Sequence, residues 1–281
     1  MSPEQRKPER PLELDAFRRF EHDGWDEVGA HYDGSFAALT RQAIGPMLDA
    51  AGVGPGVRLL DVATGPGYAA AAAVKRGALA VGIDFSETML AEARRLHPGL
   101  EFRQGDAELL PCGDRSFDVV TVGFGLLHFA RPERAVAEAF RVLVPGGRFA
   151  FTVWDVPERA LTFGLIRRAV ELRGDVDVMI PGGPDFDRFS DPAECRAVLE
   201  GAGFRSSRAT TVPLGWRVPS ADALLDLVMR GGVRTRALLL AQTPRVMEKI
   251  RAELRELVKP YERDGELDLP TPCVLAWAER P

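Results

Sequence analysis

The feature that most constrains this chain is a strand-and-helix unit that occurs five times in succession. Each unit starts with a short apolar run, and helical spacing of apolar residues follows most of these runs. The runs are residues 57–62, 79–83, 101–104, 117–122 and 148–154. Strands that alternate with helices predict a parallel sheet covered by helices on both faces. We therefore expect an α/β fold.

The turn after the first strand contains two glycines, Gly65 and Gly67. A residue without a Cβ atom lets the backbone turn tightly and approach a ligand. The helix that follows presents unpaired N–H groups at its N-terminus, which favour an anionic group such as a carboxylate. This turn is therefore a candidate ligand site.

Acidic residues follow two further strands. Asp84 ends the second strand, 23 residues beyond Asp61, and from there its carboxylate can accept hydrogen bonds from both hydroxyls of a ribose. Asp106 follows the third strand and can accept a hydrogen bond from the exocyclic amine of a base. Each residue alone could be a helix cap or a packing residue. The glycine turn and both aspartates in this order are a more specific combination.

With these motifs the sequence resembles the class I S-adenosylmethionine-dependent methyltransferases, in the small-molecule branch related to ubiquinone and sterol methyltransferases. Four segments, within about a third of the chain, carry the resemblance. They are LLDVATGPG at 59–67, VGIDFS at 81–86, GDAELLP at 105–111 with SFD at 116–118, and LVPGG at 143–147. A nicotinamide-binding turn usually has a third glycine where this chain has Ala70, which disfavours an NAD-dependent oxidoreductase.

The resemblance implies S-adenosylmethionine as the cofactor and assigns its contacts. The methionine end would be held by Asp61, Ala63, Thr64, Gly65 and Gly67. Asp84 would bind the ribose, and Asp106 with the backbone of Ala107 would bind the adenine. The adenosine would be flanked by Phe85 and Met89, and the pocket near the sulfonium would be lined by Gly123 and Phe124. Ala63 and Thr64 stand where the family often has glycine or cysteine.

Candidate residues for the methyl acceptor lie near the ends of later strands. His128 follows the fourth strand and is the best candidate for a general base, which is needed only if the acceptor keeps a proton at neutral pH. The alternative is a histidine packed in the pocket wall. Further candidates for acceptor contacts are Tyr32, Trp154, Asp155 and Trp216, for which core packing or helix capping is the alternative. The arginines at 230, 234 and 236 could bind an anionic acceptor or belong to a solvated face.

Strands at 204–212 and 273–278 extend the predicted sheet to seven strands, mostly parallel, doubly wound and with an antiparallel last strand. We divide the chain into an N-terminal helical lid at 1–52, a Rossmann-like core at 53–213, a helical cap over the acceptor pocket at 214–269, and the last strand of the core sheet at 270–281. The residues before Asp15 resemble a tail. The acceptor is expected to be small and partly hydrophobic, methylated on O, N or C.

Charge and cysteine content exclude other classes of protein. A net charge of −5 gives no general attraction to nucleic acid. No apolar segment is long enough to span a membrane, and three widely separated cysteines indicate neither a disulfide framework nor a metal site. We expect a cytoplasmic monomer or homodimer with a small-molecule acceptor. The alternatives are a protein of the same fold with non-methylating chemistry and a regulatory subunit that binds the cofactor.

Overall fold

A computed structural model describes residues 12–281 and contains the predicted seven-stranded sheet. Its strands are β1 (Arg58–Val62), β2 (Leu79–Asp84), β3 (Glu101–Gln104), β4 (Phe117–Gly123), β5 (Leu143–Trp154), β6 (Arg205–Val212) and β10 (Cys273–Glu279). They are ordered β3-β2-β1-β4-β5-β10-β6. Strand β10 is antiparallel to both of its neighbours, and the pairs among β1 to β5 are parallel. The predicted fold class is confirmed.

Eleven helices are found in the described residues. They are α1 (Leu14–Val28), α2 (Ala37–Thr40), α3 (Ile44–Ala50), α4 (Tyr68–Lys75), α5 (Glu87–Leu96), α6 (Pro132–Val142), α7 (Leu161–Arg173), α8 (Pro192–Gly201), α9 (Ala221–Gly231), α10 (Arg234–Leu240) and α11 (Pro244–Val258). The tail predicted before Asp15 lies largely in residues 1–11, outside the described residues. No helix within residues 12–281 has the length and apolar content needed to cross a bilayer.

The central strands β1, β4 and β5 are buried because helices cover both faces of the sheet. Their side chains form a nearly continuous apolar layer, which includes Leu59, Leu60, Val120, Phe149 and Phe151, all at most 1% exposed. The strand order reverses at β1, which lies between β2 and β4. In such sheets ligands bind beyond the carboxyl ends of the strands at this reversal.

The region 214–269 differs from its prediction as a purely helical cap. Besides α9, α10 and α11 it contains a three-stranded antiparallel sheet of β7 (Gly215–Val218), β8 (Glu262–Arg263) and β9 (Glu266–Pro270). Strands of two to five residues are too short to show a clear alternation of apolar and polar residues. The sequence therefore predicts the helices of this region and misses its sheet.

Two adjacent residues, Ser190 and Asp191, could each cap the N-terminus of α8. Asp191 is the N-cap, and its Oδ1 accepts a hydrogen bond from the N–H of Ala193 at 2.7 Å. The hydroxyl of Ser190 instead donates to the carbonyl of Asp187. Both residue types are good caps, so composition alone does not choose between neighbours.

Candidate functional site

A cavity of about 1200 Å³, counted to its open mouth, lies beyond the carboxyl ends of β1, β2 and β4. The turns after these strands form its floor. Residues from the N-terminal segment, such as Trp25, Tyr32 and Phe36, and residues 231–235 of the 214–269 region line the other sides. The cavity is therefore assembled from three separate parts of the chain.

The turn after β1 has the backbone conformation that its glycines allow. Gly65 and Gly67 have φ angles of +51° and +80°, and Ala63 shares this left-handed region at +53°. A Cβ atom on Gly67 would lie 2.5 Å from the ring of Phe102. Glycine at 67 thus serves both the turn and the close packing of the neighbouring strand.

Asp61, in β1, stabilises this turn through hydrogen bonds to its carboxylate. Its carboxylate accepts hydrogen bonds from the hydroxyls of Thr64 at 2.6 Å and Thr121 at 2.8 Å. The side chain is buried, and burial raises the pKa of Asp61 to about 6. Asp61 and Thr64 both line the cavity.

Asp84 lies beside the same turn. One carboxylate oxygen accepts from the N–H of Gly65 at 2.8 Å, and the other accepts from the N–H of Ser86 at 3.0 Å. Burial raises the pKa of Asp84 to about 6, and the nearby charge of Asp61 acts in the same direction. Each oxygen keeps acceptor capacity for a further hydrogen bond. The structure brings this carboxylate, Phe85 and Met89 to the edge of the cavity.

Several predicted site residues do not line the cavity. Gly67, Asp106 and Ala107 lie outside its lining. The carboxylate of Asp106 accepts from the N–H of Glu108 at 2.9 Å and forms an ion pair with Arg18 of α1. In this structure, Arg18 therefore pairs with the carboxylate that is predicted to bind the adenine.

Asp155 and Trp216, two candidate acceptor contacts, also lie outside the lining of the cavity. The side chain of Asp155 is buried, pairs with Arg159, and accepts from the N–H of Val156 at 2.7 Å. It thereby holds the turn after β5 and does not line the cavity. Trp216 lies in β7 and packs on Phe36 at 5.4 Å between ring centroids. Both positions belong to the supporting structure of the described chain.

An aromatic wall bounds one side of the cavity. The rings of Phe124 and Trp154 stack with centroids 4.1 Å apart, and Phe163 of α7 packs against Trp154 at 4.9 Å. Phe36 stacks on Phe163 at 5.6 Å. Sequence reasoning found Phe124 and Trp154 because they follow strands. It missed Phe36 and Phe163, since an aromatic residue in or beside a helix is typical of any core.

Tyr32 lines the cavity as predicted from the N-terminal segment. Its hydroxyl donates to Oγ1 of Thr40 at 3.3 Å, and burial raises the pKa of Tyr32 to about 12. The phenol therefore stays protonated at neutral pH. It offers the cavity a hydroxyl rather than a charge.

His128 lines the cavity and is held by a buried carboxylate that sequence reasoning missed. Its Nδ1 lies 2.9 Å from Oε2 of Glu21, and Oε1 of Glu21 accepts from Nε of Arg234 at 2.6 Å. Burial by itself would raise the pKa of Glu21, but His128 and Arg234 lower it below its ordinary value. Among the charged residues of α1, nothing in the sequence distinguishes Glu21.

These residues fit S-adenosylmethionine. The cavity edge has a carboxylate with free acceptor capacity at Asp84, a left-handed turn at residues 63–67 that allows a close approach, and an apolar wall at Phe85 and Met89. A sugar, a charged amino-acid end and a flat base require these three kinds of surface. Among the described residues no cluster of His, Cys, Asp and Glu has the arrangement of a metal site.

Comparison with known proteins agrees with this geometry. The family model for a methyltransferase domain matches residues 60–151. A demethylmenaquinone methyltransferase of Thermus thermophilus is 45% identical over 163 residues, which cover 52% of this chain and 74% of the relative. Another, from Renibacterium salmoninarum, is 39% identical over 147 residues, covering 51% of this chain and 60% of the relative.

The structure of a phosphoethanolamine N-methyltransferase of Haemonchus contortus in complex with S-adenosyl-L-methionine has a TM-score of 0.58 and 18% identity. The match covers 94% of this chain and 60% of the Haemonchus chain. At 18% identity it shows a similar fold only. The chain therefore belongs to the class I S-adenosylmethionine-dependent methyltransferases. Within this class it is related to the ubiquinone and menaquinone methyltransferases. This confirms the predicted resemblance and the cofactor, S-adenosylmethionine.

Proposed function

We propose that this chain transfers the methyl group of S-adenosylmethionine to a small, largely apolar acceptor of the quinone type. One observation carries the proposal: a single cavity joins the Gly65 turn and Asp84 to an aromatic wall and His128. The relatives named as demethylmenaquinone methyltransferases favour a ring-shaped acceptor. The chain matches about three-fifths of the length of the Renibacterium relative, so the acceptor is part of the proposal.

We assign the cofactor to the floor of the cavity. Asp61 and the backbone of residues 63–67 would hold the methionine end, and Asp84 would accept from the ribose hydroxyls. Phe85 and Met89 would flank the adenosine, and Gly123 and Phe124 would lie near the sulfonium. For Asp106 and Ala107 to meet the adenine, the ion pair between Arg18 and Asp106 must loosen.

When bound, the cofactor supplies an electrophilic methyl group. The residues of the chain would align the acceptor with it and exclude water, which can contribute roughly 7 to 11 kcal/mol to lowering the barrier. The faces of Phe124 and Trp154 would orient a flat ring and favour a nearby positive charge. His128 would accept a proton from the acceptor.

The enclosed aromatic wall also supports an enzyme over a regulatory subunit, for which an open rim would suffice. We propose that the described part of residues 1–52 forms the lid and residues 214–269 the cap, because both contribute cavity-lining residues. All three cysteines, Cys112, Cys195 and Cys273, are unpaired, which supports action in the reducing cytoplasm. We propose a monomer or homodimer that uses no nucleic acid.

The proposal is tested by incubating the protein with methyl-labelled S-adenosylmethionine and a panel of hydroxylated naphthalene and benzene rings, with aromatic amines as a second panel. We expect label in one acceptor class and S-adenosylhomocysteine in equal amount. Asp84→Asn should reduce labelling at limiting cofactor. Product formed without S-adenosylhomocysteine would instead support the non-methylating alternative. Folded protein that labels none of these rings would contradict a quinone-type acceptor.

A further inference from the structure

Three side chains from three parts of the chain form one buried assembly at the acceptor end of the cavity. Glu21 comes from α1, His128 from the turn after β4, and Arg234 from the first turn of α10. Their side chains are 2%, 13% and 18% exposed. Glu21 lies between the other two and uses one carboxylate oxygen for each.

The surroundings of the assembly hold each side chain in place. Nη2 of Arg234 donates to the carbonyl of Leu127 at 2.8 Å, and its guanidinium stacks on the ring of Phe17 at 4.4 Å. The imidazole of His128 packs edge-on against Trp25, with centroids 4.9 Å apart. Phe186 contacts both the imidazole and the guanidinium. A buried carboxylate is stable only where its hydrogen-bond partners are held in such a fixed geometry.

The assembly determines which nitrogen of neutral His128 carries the proton. An ionised carboxylate can only accept hydrogen bonds, so Nδ1 must donate to Glu21. The lone pair of the neutral imidazole is then on Nε2. Within the described chain Nε2 has no hydrogen-bond partner, and it is not among the buried unpartnered atoms. His128 lines the cavity, and from its accessible, unbonded Nε2 we infer that this atom faces the cavity.

We propose that Glu21 is a positioning residue that fixes His128 with Nε2 facing the acceptor, and that the acceptor is therefore a ring bearing a hydroxyl group. This inference rests on the proposed methyl transfer and names the acceptor chemistry. Arg234 keeps Glu21 ionised and oriented. The arrangement follows the general logic of a base that is oriented by a third group.

The proton and electron balance is simple for transfer to oxygen. The hydroxyl proton goes to Nε2 of His128, and an oxygen lone pair forms the new bond to the methyl carbon. The bond between sulfur and that carbon breaks, and its electron pair stays on sulfur. The products are the methyl ether, S-adenosylhomocysteine and imidazolium, which is stabilised by the carboxylate of Glu21.

Few ionisable groups face His128 from the elements packed against it. Glu21 of α1 contacts the imidazole directly, and Arg234 of α10 acts through Glu21. The ring neighbours Trp25 and Phe186 carry no charge. Glu21 is therefore the charged group that sets the hydrogen bonding of Nδ1 of His128.

Glu21→Gln tests the role of the carboxylate. Nε of Arg234 can only donate, so the introduced amide must turn its oxygen to Arg234 and its NH₂ group to Nδ1 of His128. Nδ1 then accepts, and the proton of neutral imidazole moves to Nε2. With its proton on Nε2, His128 cannot accept a proton from the acceptor at that atom. We therefore expect kcat for a neutral phenol to fall about 100-fold or more.

A matched control comes from the same two helices. Glu27 of α1 forms a bidentate ion pair with Arg236 of α10, away from His128. Glu27→Gln removes a more exposed ion pair between the same two helices and should leave kcat within about twofold of wild type. An electron-poor phenol that is already ionised at the assay pH needs no base. With this acceptor, Glu21→Gln should lose much less activity than with a neutral phenol.

Nitrogen NMR of ¹⁵N-histidine-labelled protein gives a readout besides activity and needs no variant to fold. With His128 assigned by His128→Gln, the neutral imidazole of the wild-type protein should carry its proton on Nδ1. A proton on Nε2, or equal losses in Glu21→Gln and Glu27→Gln, would overturn the inference. If the protein methylates amines but no hydroxylated ring, the proposed acceptor class is wrong. Failure to bind S-adenosylmethionine would contradict the proposed function instead, and the tautomer would still be measurable.

Discussion

At the scale of single residues, two buried carboxylates define the cofactor end of the cavity. Asp84 is 7% exposed, yet each of its oxygens keeps acceptor capacity after binding one backbone N–H group. Asp61 is 1% exposed, and both of its oxygens hold threonine hydroxyls. We infer that Asp84 binds the ribose and that Asp61, which also fixes the turn, binds the methionine end.

Asp84→Ala should therefore weaken S-adenosylmethionine binding by about 1.5 to 3 kcal/mol, the usual loss for hydrogen bonds to a charged group. The measurement is a calorimetric titration of variant and wild type. Asp118→Ala is a suitable control, since Asp118 lies at the opposite end of β4 and pairs with Arg58. Unchanged affinity in Asp84→Ala would show that the ribose binds elsewhere.

The raised pKa of Asp84, about 6, predicts a pH dependence of binding. The cofactor-free protein takes up a proton on this carboxyl as the pH falls through about 6, whereas ribose hydroxyls require the ionised form as an acceptor. Affinity should therefore fall between about pH 7.5 and pH 5.5, by linkage of proton release to binding. Titrations at both pH values check this. Asp84→Asn should reduce the slope, and a higher affinity at the lower pH would contradict the assignment.

Residues at the carboxyl ends of strands were predictable from the sequence. Asp61, Asp84 and the glycine turn lie where the ends of parallel strands meet, whatever the details of packing. Glu21 and Phe163 were not predictable, because their roles depend on how α1 and α7 pack against the sheet. Asp155 was predicted at the rim because it follows β5, but in the structure it pairs with Arg159 and does not line the cavity.

At the scale of elements, the turn between β1 and α4 depends on glycine for two separable reasons. Gly67 has a φ of +80°, and an added Cβ would meet Phe102 at 2.5 Å. Gly146 has nearly the same φ, +78°, but an added Cβ would meet nothing within 4 Å. Comparing the two positions separates backbone strain from steric overlap.

Gly146→Ala should lower the free energy of unfolding by about 1 to 2 kcal/mol, the cost of a left-handed residue with a Cβ. Gly67→Ala should cost about 1 to 3 kcal/mol more, because the ring of Phe102 must move in a packed interior. Denaturant unfolding of both variants measures the difference. Equal losses would mean that Phe102 yields without cost and that packing does not require glycine at 67.

Helix α1 is the element whose position most affects the cofactor site. Arg18 holds Asp106, and His22 stacks on Phe85 with centroids 5.1 Å apart. If adenine needs the carboxylate of Asp106, Arg18→Ala should raise the affinity for S-adenosylmethionine at little cost to the fold, since the pair is exposed. Calorimetry of Arg18→Ala beside Arg131→Ala, which removes another contact with α1, tests this. Weaker binding only in Arg18→Ala would show that Arg18 supports the cofactor.

The main elements were predictable because their patterns are long and repeated. The apolar runs of β1, β2 and β4 and the helices between them identify the parallel sheet without any tertiary information. The sheet of β7, β8 and β9 was not predictable, since its short strands are stabilised by pairing with distant residues. Gly215 of β7, for example, pairs with Pro270 of β9.

At the scale of the whole molecule, the candidate site exists only when three regions of the chain come together. The core provides the glycine turn and Asp84, α1 provides Glu21, and α10 provides Arg234. The sequence resemblance covers the first region, which is why the cofactor was predictable. The acceptor end depends on the other two regions, and its chemistry became visible only in the folded chain.

A cavity built for S-adenosylmethionine should bind this cofactor in a calorimetric titration of the purified protein. A parallel titration with NAD serves as the control for a generic nucleotide site. We expect saturable one-to-one binding of S-adenosylmethionine with micromolar affinity and no heat of binding with NAD. Folded protein that binds NAD in preference, or neither compound, would contradict this assignment of the cofactor.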